Sequence, residues 1–157
     1  MASRSAGILM YQRRDGALFV LLVHPGGPFW RGRDRGAWSI PKGEHGPDED
    51  PEAVARREFE EELGTPPPGA LQPLGAVRQK GGKRVEAFAL KGDLDVAAVR
   101  SNTFEIEWPP RSGRRATFPE IDRAAWFALP LAREKILASQ LPLLEKLAAL
   151  LGEPDGG

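Results

Sequence analysis

Three glutamates, Glu58, Glu61 and Glu62, lie within five consecutive residues of a segment whose spacing reads as helix. At about 100° per residue they fall within an arc of roughly 100° on one helix face. Ala55, Phe59 and Leu63, each four apart, form the adjoining apolar face. The helix can therefore bury Phe59 and Leu63 while presenting three carboxylates together. Like charges at these spacings repel by roughly a few tenths of a kcal/mol per pair at an exposed site. A hard divalent cation removes that conflict. Mg2+ prefers oxygen ligands, keeps several waters and commonly bridges to substrate phosphates.

The charge around these residues is segregated. The chain carries 22 basic and 22 acidic side chains. Yet from Glu44 to Glu62 nine acids face only Arg56 and Arg57, a surplus of seven negative charges. The bases gather elsewhere, in Arg31 to Arg35, Arg78 to Arg84 and Arg111 to Arg115. An acidic centre with basic loops suits a divalent metal plus a polyphosphate; a solvated acidic helix has the same charge pattern. Zero net charge argues against a bulk nucleic-acid partner. The absence of cysteine rules out a disulfide framework, a thiolate zinc site and a cysteine nucleophile.

From Gly43 to Thr65 the chain reads Gly-Glu-His-Gly-Pro-Asp-Glu-Asp-Pro-Glu-Ala-Val-Ala-Arg-Arg-Glu-Phe-Glu-Glu-Glu-Leu-Gly-Thr. This resembles the Nudix box, G-x5-E-x7-R-E-U-x-E-E-x-G-U, with U a bulky aliphatic residue. Gly43, Glu49, Arg57, Glu58, Phe59, Glu61, Glu62 and Gly64 take the defined positions, with Phe59 accepted as apolar. Thr65 departs from the pattern, at a position that packs rather than reacts. The resemblance implies an α/β fold, an α/β/α sandwich with a central mixed sheet. It also implies hydrolysis of a nucleoside diphosphate linked to another moiety, with Mg2+ or Mn2+. Carried over residue by residue, it makes Glu58, Glu61 and Glu62 metal ligands. Arg57 then orients a box glutamate, and at i+4 it can reach Glu61. Members of the family often recruit a further acid some six residues before a late tryptophan. Here Glu120 stands six before Trp126, as a fourth ligand or catalytic base, with Glu105 and Glu107 as competitors.

Trp38-Ser-Ile-Pro-Lys-Gly43 runs into the box. It is similar to the W-x-x-P-K-G segment of Nudix enzymes that act on dinucleoside polyphosphates and diphosphoinositol polyphosphates. Lys42 is then a phosphate contact. A nucleobase needs a stacking partner, and Trp30, Trp108, Phe29 and Phe104 are candidates. Trp108 heads a stretch with three arginines, Arg111, Arg114 and Arg115, suited to a base and a polyphosphate tail. Arg78 opens a second basic loop that can add phosphate contacts. His24 and His45 are too few and too far apart for a recognisable metal or triad motif; His45 reads as a surface residue or a phosphate neighbour. The substrate expected from the resemblance is a dinucleoside polyphosphate such as diadenosine tetraphosphate. The alternatives are a nucleoside triphosphate pyrophosphatase that cleans oxidised nucleotides, or a catalytically silent nucleotide-binding regulator.

The elements that must position these residues are legible in outline. With 157 residues, 41% of them hydrophobic, one soluble domain over residues 1–152 is expected, ending in a frayed tail at 153–157. Strands are expected over 6–13 and 18–24, joined at Asp15-Gly16, a hairpin signal. A glycine-rich loop, 25–36, follows. Asp50 and Pro51 open the acidic helix and Gly64 closes it. Further strands are expected at 74–79, 85–90 and 124–129. Residues 131–151 read as helix interrupted by Pro142, with Leu137, Leu141, Leu144 and Leu147 as a core stripe. The segment 92–119 reads as a long connection. No apolar run approaches the roughly 20 residues a membrane helix needs. No secretory signal is recognised. A cytoplasmic monomer or homodimer without membrane contact is the expectation.

Overall fold

The computed structural model describes residues 3–153. Strand β1 (Arg4–Arg14) turns through Asp15 and Gly16 into β2 (Ala17–Pro25). Both turn residues have positive φ, 50° and 82°, as a two-residue hairpin that follows the strand twist requires. The chain returns in the short strand β3 (Lys42–His45), enters helix α1 (Pro51–Leu63), and continues as β4 (Gln72–Arg78) and β5 (Arg84–Lys91). Next come β6 (Thr103–Glu107), β7 (Arg115–Pro119) and β8 (Ile121–Ala128), then α2 (Leu129–Lys135) and α3 (Leu141–Leu151).

Six strands form one mixed sheet in the order β4-β5-β1-β2-β8. Strand β3 pairs with the first half of β1, and β2 with its second half. Among the strand pairings of the described residues, β1–β5 is the parallel one. Alternation along β1 and β2 divides the core in two. Ala6, Ile8, Met10, Leu21 and Val23 pack under α1 against Val54, Phe59 and Leu63. Leu9, Leu18, Val20 and Leu22 face the other way, toward Leu143, Leu144 and Leu147 of α3. A sheet with helices on both faces is the α/β/α sandwich expected from the resemblance.

Helix α1 has the predicted limits. The Asp50 carboxylate accepts from the Ala53 N–H at 3.2 Å, and Gly64 caps the far end with φ 83°. A side chain at Gly64 would meet the Arg100 carbonyl at 2.6 Å. Thr65 is exposed, so no aliphatic residue is needed there.

Three expectations are corrected. The segment 92–119 is not a plain connection: β6 and β7 form a separate two-stranded ribbon. Its alternation is real, with Phe104, Ile106, Ala116 and Phe118 on one face, but the other carries Glu105, Glu107 and Arg115 among Thr103, Thr117 and Pro119, which hid the strands among polar residues. In the C-terminal half, the helical run breaks at 136–140, ahead of Pro142. Pro142 itself sits in the first turn of α3, where its missing N–H costs nothing. Consequently Leu137 lies outside the helices, and the buried stripe is Leu143, Leu144, Leu147 and Ala148. The third concerns the start of the expected tail. The Glu153 N–H donates to the Ala148 carbonyl, and its carboxylate pairs with Arg13. The rest of that tail, 154–157, lies outside the described residues. No helix among the described residues is long and apolar enough to cross a membrane.

Candidate active site

The face of α1 next to its buried stripe carries the three glutamates, at three depths. Glu62 is only 9% exposed, and its Oε2 accepts from the Lys42 backbone N–H at 2.8 Å. Glu58 is half-buried against Gly43; Glu61 is the most open. Strand β3 thus lies directly on the carboxylate face. Lys42, Glu62 and Glu120 line one cavity of about 190 Å³, together with Trp30, Ser39 and Ile121. Three residues singled out from three distant parts of the sequence therefore share one wall.

The electrostatics of this cavity are dominated by negative charge. Burial pushes the Glu62 carboxyl up to about 8; the Lys42 N–H and ammonium oppose, and Glu58 and Glu120 add repulsion. Burial and then Glu61 raise Glu58, with Arg57 pulling the other way. Burial and Glu61 also raise Glu120. The Lys42 ammonium is lowered, chiefly by burial and then by Lys83. Four carboxylates thus feel one another, with too little positive charge between them. Among the described residues no three acidic or histidine side chains already close into a metal cage. As a donor set, however, crowded carboxylate oxygens with unrelieved repulsion fit a hard divalent cation.

Arg57 reaches Glu61 as expected, but it also has closer partners. Its nearest acid is Glu49, at 3.2 Å, whereas Glu58 lies at 3.7 Å and the expected partner Glu61 at 4.0 Å. Glu49 also accepts from the Gly46 N–H at 2.9 Å. Those two donors hold its carboxyl below the usual carboxylate range, the backbone N–H first. The pair ties the loop before α1 to the middle of the helix. Glu49 was recognisable as a box position, but spacing alone gave it no partner.

Glu120 is held by backbone, not by side chains. The Asn102 N–H donates to the Glu61 carbonyl, the Glu120 N–H to the Asn102 carbonyl, and the Gly26 N–H to the Glu120 carbonyl, at 2.8 to 2.9 Å. This relay runs from α1 through the β6 approach to the glycine-rich loop. Its two competitors have partners of their own. Glu105 pairs with Arg115 at 2.8 Å, and Glu107 accepts from the Arg111 N–H at 2.9 Å. Gly26 is buried, and a Cβ there would lie 2.0 Å from the Pro119 carbonyl oxygen. Gly26→Ala must move backbone, so a loss of roughly 1–3 kcal/mol is expected, with a further loss of turnover as Glu120 shifts. Thermal melting and kcat of the variant check both.

The remaining candidates lie outside this cavity. Trp108 meets Phe29 edge to face at 5.6 Å, joining the ribbon to the glycine-rich loop. Phe104 lies beneath Gly27, where a Cβ would approach its ring to 2.9 Å. Arg111 is exposed in the β6–β7 turn with φ 61°. Arg78 ends β4 and lines a different cavity, with Arg4, His45 and Arg84. His24 is buried, with Nδ1 2.8 Å from Asp122 and Nε2 2.6 Å from the Arg33 carbonyl, a structural role. Sequence reasoning missed Gly26, Asn102 and Arg4; the glycine-rich character of 25–36 was the only signal for the first.

The NUDIX domain family profile matches residues 1–147. The chain has no significant match among curated proteins. Its fold is similar to that of a C. elegans Ap4A hydrolase in a binary complex (24% identity, 94% of this chain and 98% of that one, TM-score 0.65). It is similar to the NUDIX domain of Shewanella oneidensis NrtR complexed with ADP ribose (21%, 96% and 89%, TM-score 0.67). A MutT structure from work on Aliivibrio salmonicida and Vibrio cholerae is a third (15%, 94% and 96%, TM-score 0.56). With a family profile spanning nearly the whole chain, on the fold and the carboxylate helix just described, the protein belongs to the NUDIX domain family.

Proposed function

We propose that the protein hydrolyses a phosphoanhydride bond of a dinucleoside polyphosphate, with Mg2+ or Mn2+ as cofactor. The observation that carries this reading is the shared cavity of Lys42, Glu62 and Glu120 beside the glutamate face of α1. The W-x-x-P-K-G segment that delivers Lys42, and the likeness in fold to an Ap4A hydrolase, support the substrate class.

Glu58, Glu61 and Glu62 would hold the metal. When bound, it lowers the pKa of water and offsets charge growing on the phosphoryl oxygens. Glu120 takes the proton as the water oxygen forms its bond to phosphorus and the bridging P–O bond breaks. A carboxyl raised toward neutrality suits that role better than an ordinary one. Lys42 holds a phosphate oxygen as a point charge. Arg57 keeps the loop and helix together through Glu49 and so positions Glu58. Trp30, half-buried on the cavity wall, offers a surface to the nucleobase.

A panel of nucleotides with Mg2+ and Mn2+, with products separated by chromatography, tests the reading. A nucleoside triphosphate plus a monophosphate from a diadenosine tetraphosphate is the expected result. Pyrophosphate plus a monophosphate from nucleoside triphosphates would assign the protein to pool cleaning instead. Tight nucleotide binding without any metal-dependent product would make it a regulator and overturn the assignment.

A further inference from the structure

Strands β3, β1, β5 and β4 lie side by side. At one end of this sheet their registers align four residues. His45 faces Arg4, Arg4 faces Arg84, and Arg84 faces Arg78. Cross-strand partners project from the same face of a sheet. Here it is the face that α1 covers further along, because Ala6 and Ile8 continue the Arg4 alternation under Phe59. At about 4.8 Å per strand the row spans roughly 14 Å.

These side chains surround open space. A cavity of about 460 Å³ is lined by Arg4, His45, Arg78 and Arg84. An adjoining one of about 310 Å³ shares Arg4, His45 and Arg84, and adds Pro51 and Glu86. Glu86 is the one carboxylate on these walls. Among the described residues, Arg4, Arg78 and Arg84 form no ion pair, although most other arginines near an acid do. Pro51 is the first residue of the 13-residue helix α1, so the positive end of that helix borders the same space. Neither cavity shares a residue with the one lined by Lys42, Glu62 and Glu120. The two regions are joined through β3, where His45 follows two residues after Gly43, the residue against Glu58.

We propose that this row is a second anion subsite that takes an extended polyphosphate chain. Three unpaired guanidinium groups in line suit successive phosphates, each able to accept two parallel N–H bonds. A single phosphate engages only part of the row. The proposal rests on the phosphoanhydride-hydrolase reading for its link to turnover: the uncleaved portion of a substrate's chain reaches the row along β3. The same chemistry also admits free inorganic polyphosphate.

Calorimetry on the metal-free protein tests the subsite independently of activity. Tripolyphosphate should bind about tenfold more tightly than orthophosphate, and Arg84→Ala, at the centre of the row, should weaken it by about tenfold. Arg78→Ala and Arg4→Ala should each weaken it in the same direction. Arg133→Ala, which removes a cation paired with Glu145 on the opposite helices, should leave it unchanged. Circular dichroism confirms that each variant is folded. Unchanged tripolyphosphate affinity in Arg84→Ala, or equal affinity for the two anions, would overturn the proposal. A kinetic arm identifies the source of the chain. With a dinucleoside tetraphosphate, a raised KM at unchanged kcat in Arg84→Ala assigns the row to substrate, whereas an unchanged KM with weakened tripolyphosphate binding assigns it to free polyphosphate. If no nucleotide is turned over, the calorimetric result still stands, and only the function proposed above fails.

Discussion

Glu62→Gln is expected to cut turnover by about three orders of magnitude and, without metal, to melt at a higher temperature than the wild type at alkaline pH. Both effects come from one placement. Glu62 is the most buried of the acids on α1, and burial lifts its carboxyl from 4.5 to about 8. The sign follows from linkage. A carboxyl raised in the folded state favours folding when protonated. That contribution is complete below the unfolded pKa of 4.5 and is lost as pH rises through about 8. The metal-free wild type should therefore lose melting temperature across this window, while Glu62→Gln should lose less, keeping only what the raised Glu58 and Glu120 carboxyls contribute. The amide oxygen can still accept from the Lys42 N–H, so the loop contact survives. Added Mg2+ should raise the wild-type melting temperature at alkaline pH and leave the variant nearly unmoved. A variant that keeps full activity, or that shows the wild-type pH slope, would remove Glu62 from the site.

This tension between folding and function explains what the sequence could and could not disclose. Glu58, Glu61 and Glu62 were legible because a helix of period 3.6 puts them beside a regular apolar stripe, and the caps at Asp50 and Gly64 fix its ends. The main sheet was legible for the same reason, since β1, β2 and β5 are apolar and alternate or run continuously. The ribbon β6–β7 was not, because each of its strands is short with one polar, exposed face, and Phe104 on its apolar face packs locally, on the glycine-rich loop. Glu120 could be named by its distance from Trp126, but not separated from Glu105 and Glu107. What places Glu120 beside the cavity is backbone hydrogen bonding, its N–H donating to the Asn102 carbonyl and its carbonyl accepting from the Gly26 N–H, which leaves no side-chain signature. Depth was equally invisible. Three glutamates of identical type differ in burial because β3 covers one edge of the helix and not the other. Arg78 was found as one basic residue in a loop, whereas its alignment with Arg84, Arg4 and His45 depends on strand register, which no single segment contains.

Gly43→Ala is expected to reduce turnover by about ten- to a hundredfold while shifting the melting temperature little. The box glycine meets a side chain, not a demanding backbone angle. A Cβ built there lies 2.0 Å from the Glu58 carboxyl carbon, and 2.3 and 2.4 Å from its two oxygens. No such contact is tolerated, so the carboxylate must swing away. Because the obstructed atoms are the free end of a long side chain, the fold can yield at small cost, and the loss falls on chemistry. The neighbouring ion pairs mark where the displaced charge can go: Arg57 lies 3.7 Å from Glu58 and already holds Glu49. A double-mutant cycle separates this account from general loosening of β3. In a Glu58→Ala background the space is vacant, and Gly43→Ala should then cost nothing further in kcat. If instead the two losses multiply, the glycine serves the strand pairing between β3 and β1, and Glu58 is not the group whose position Gly43 protects.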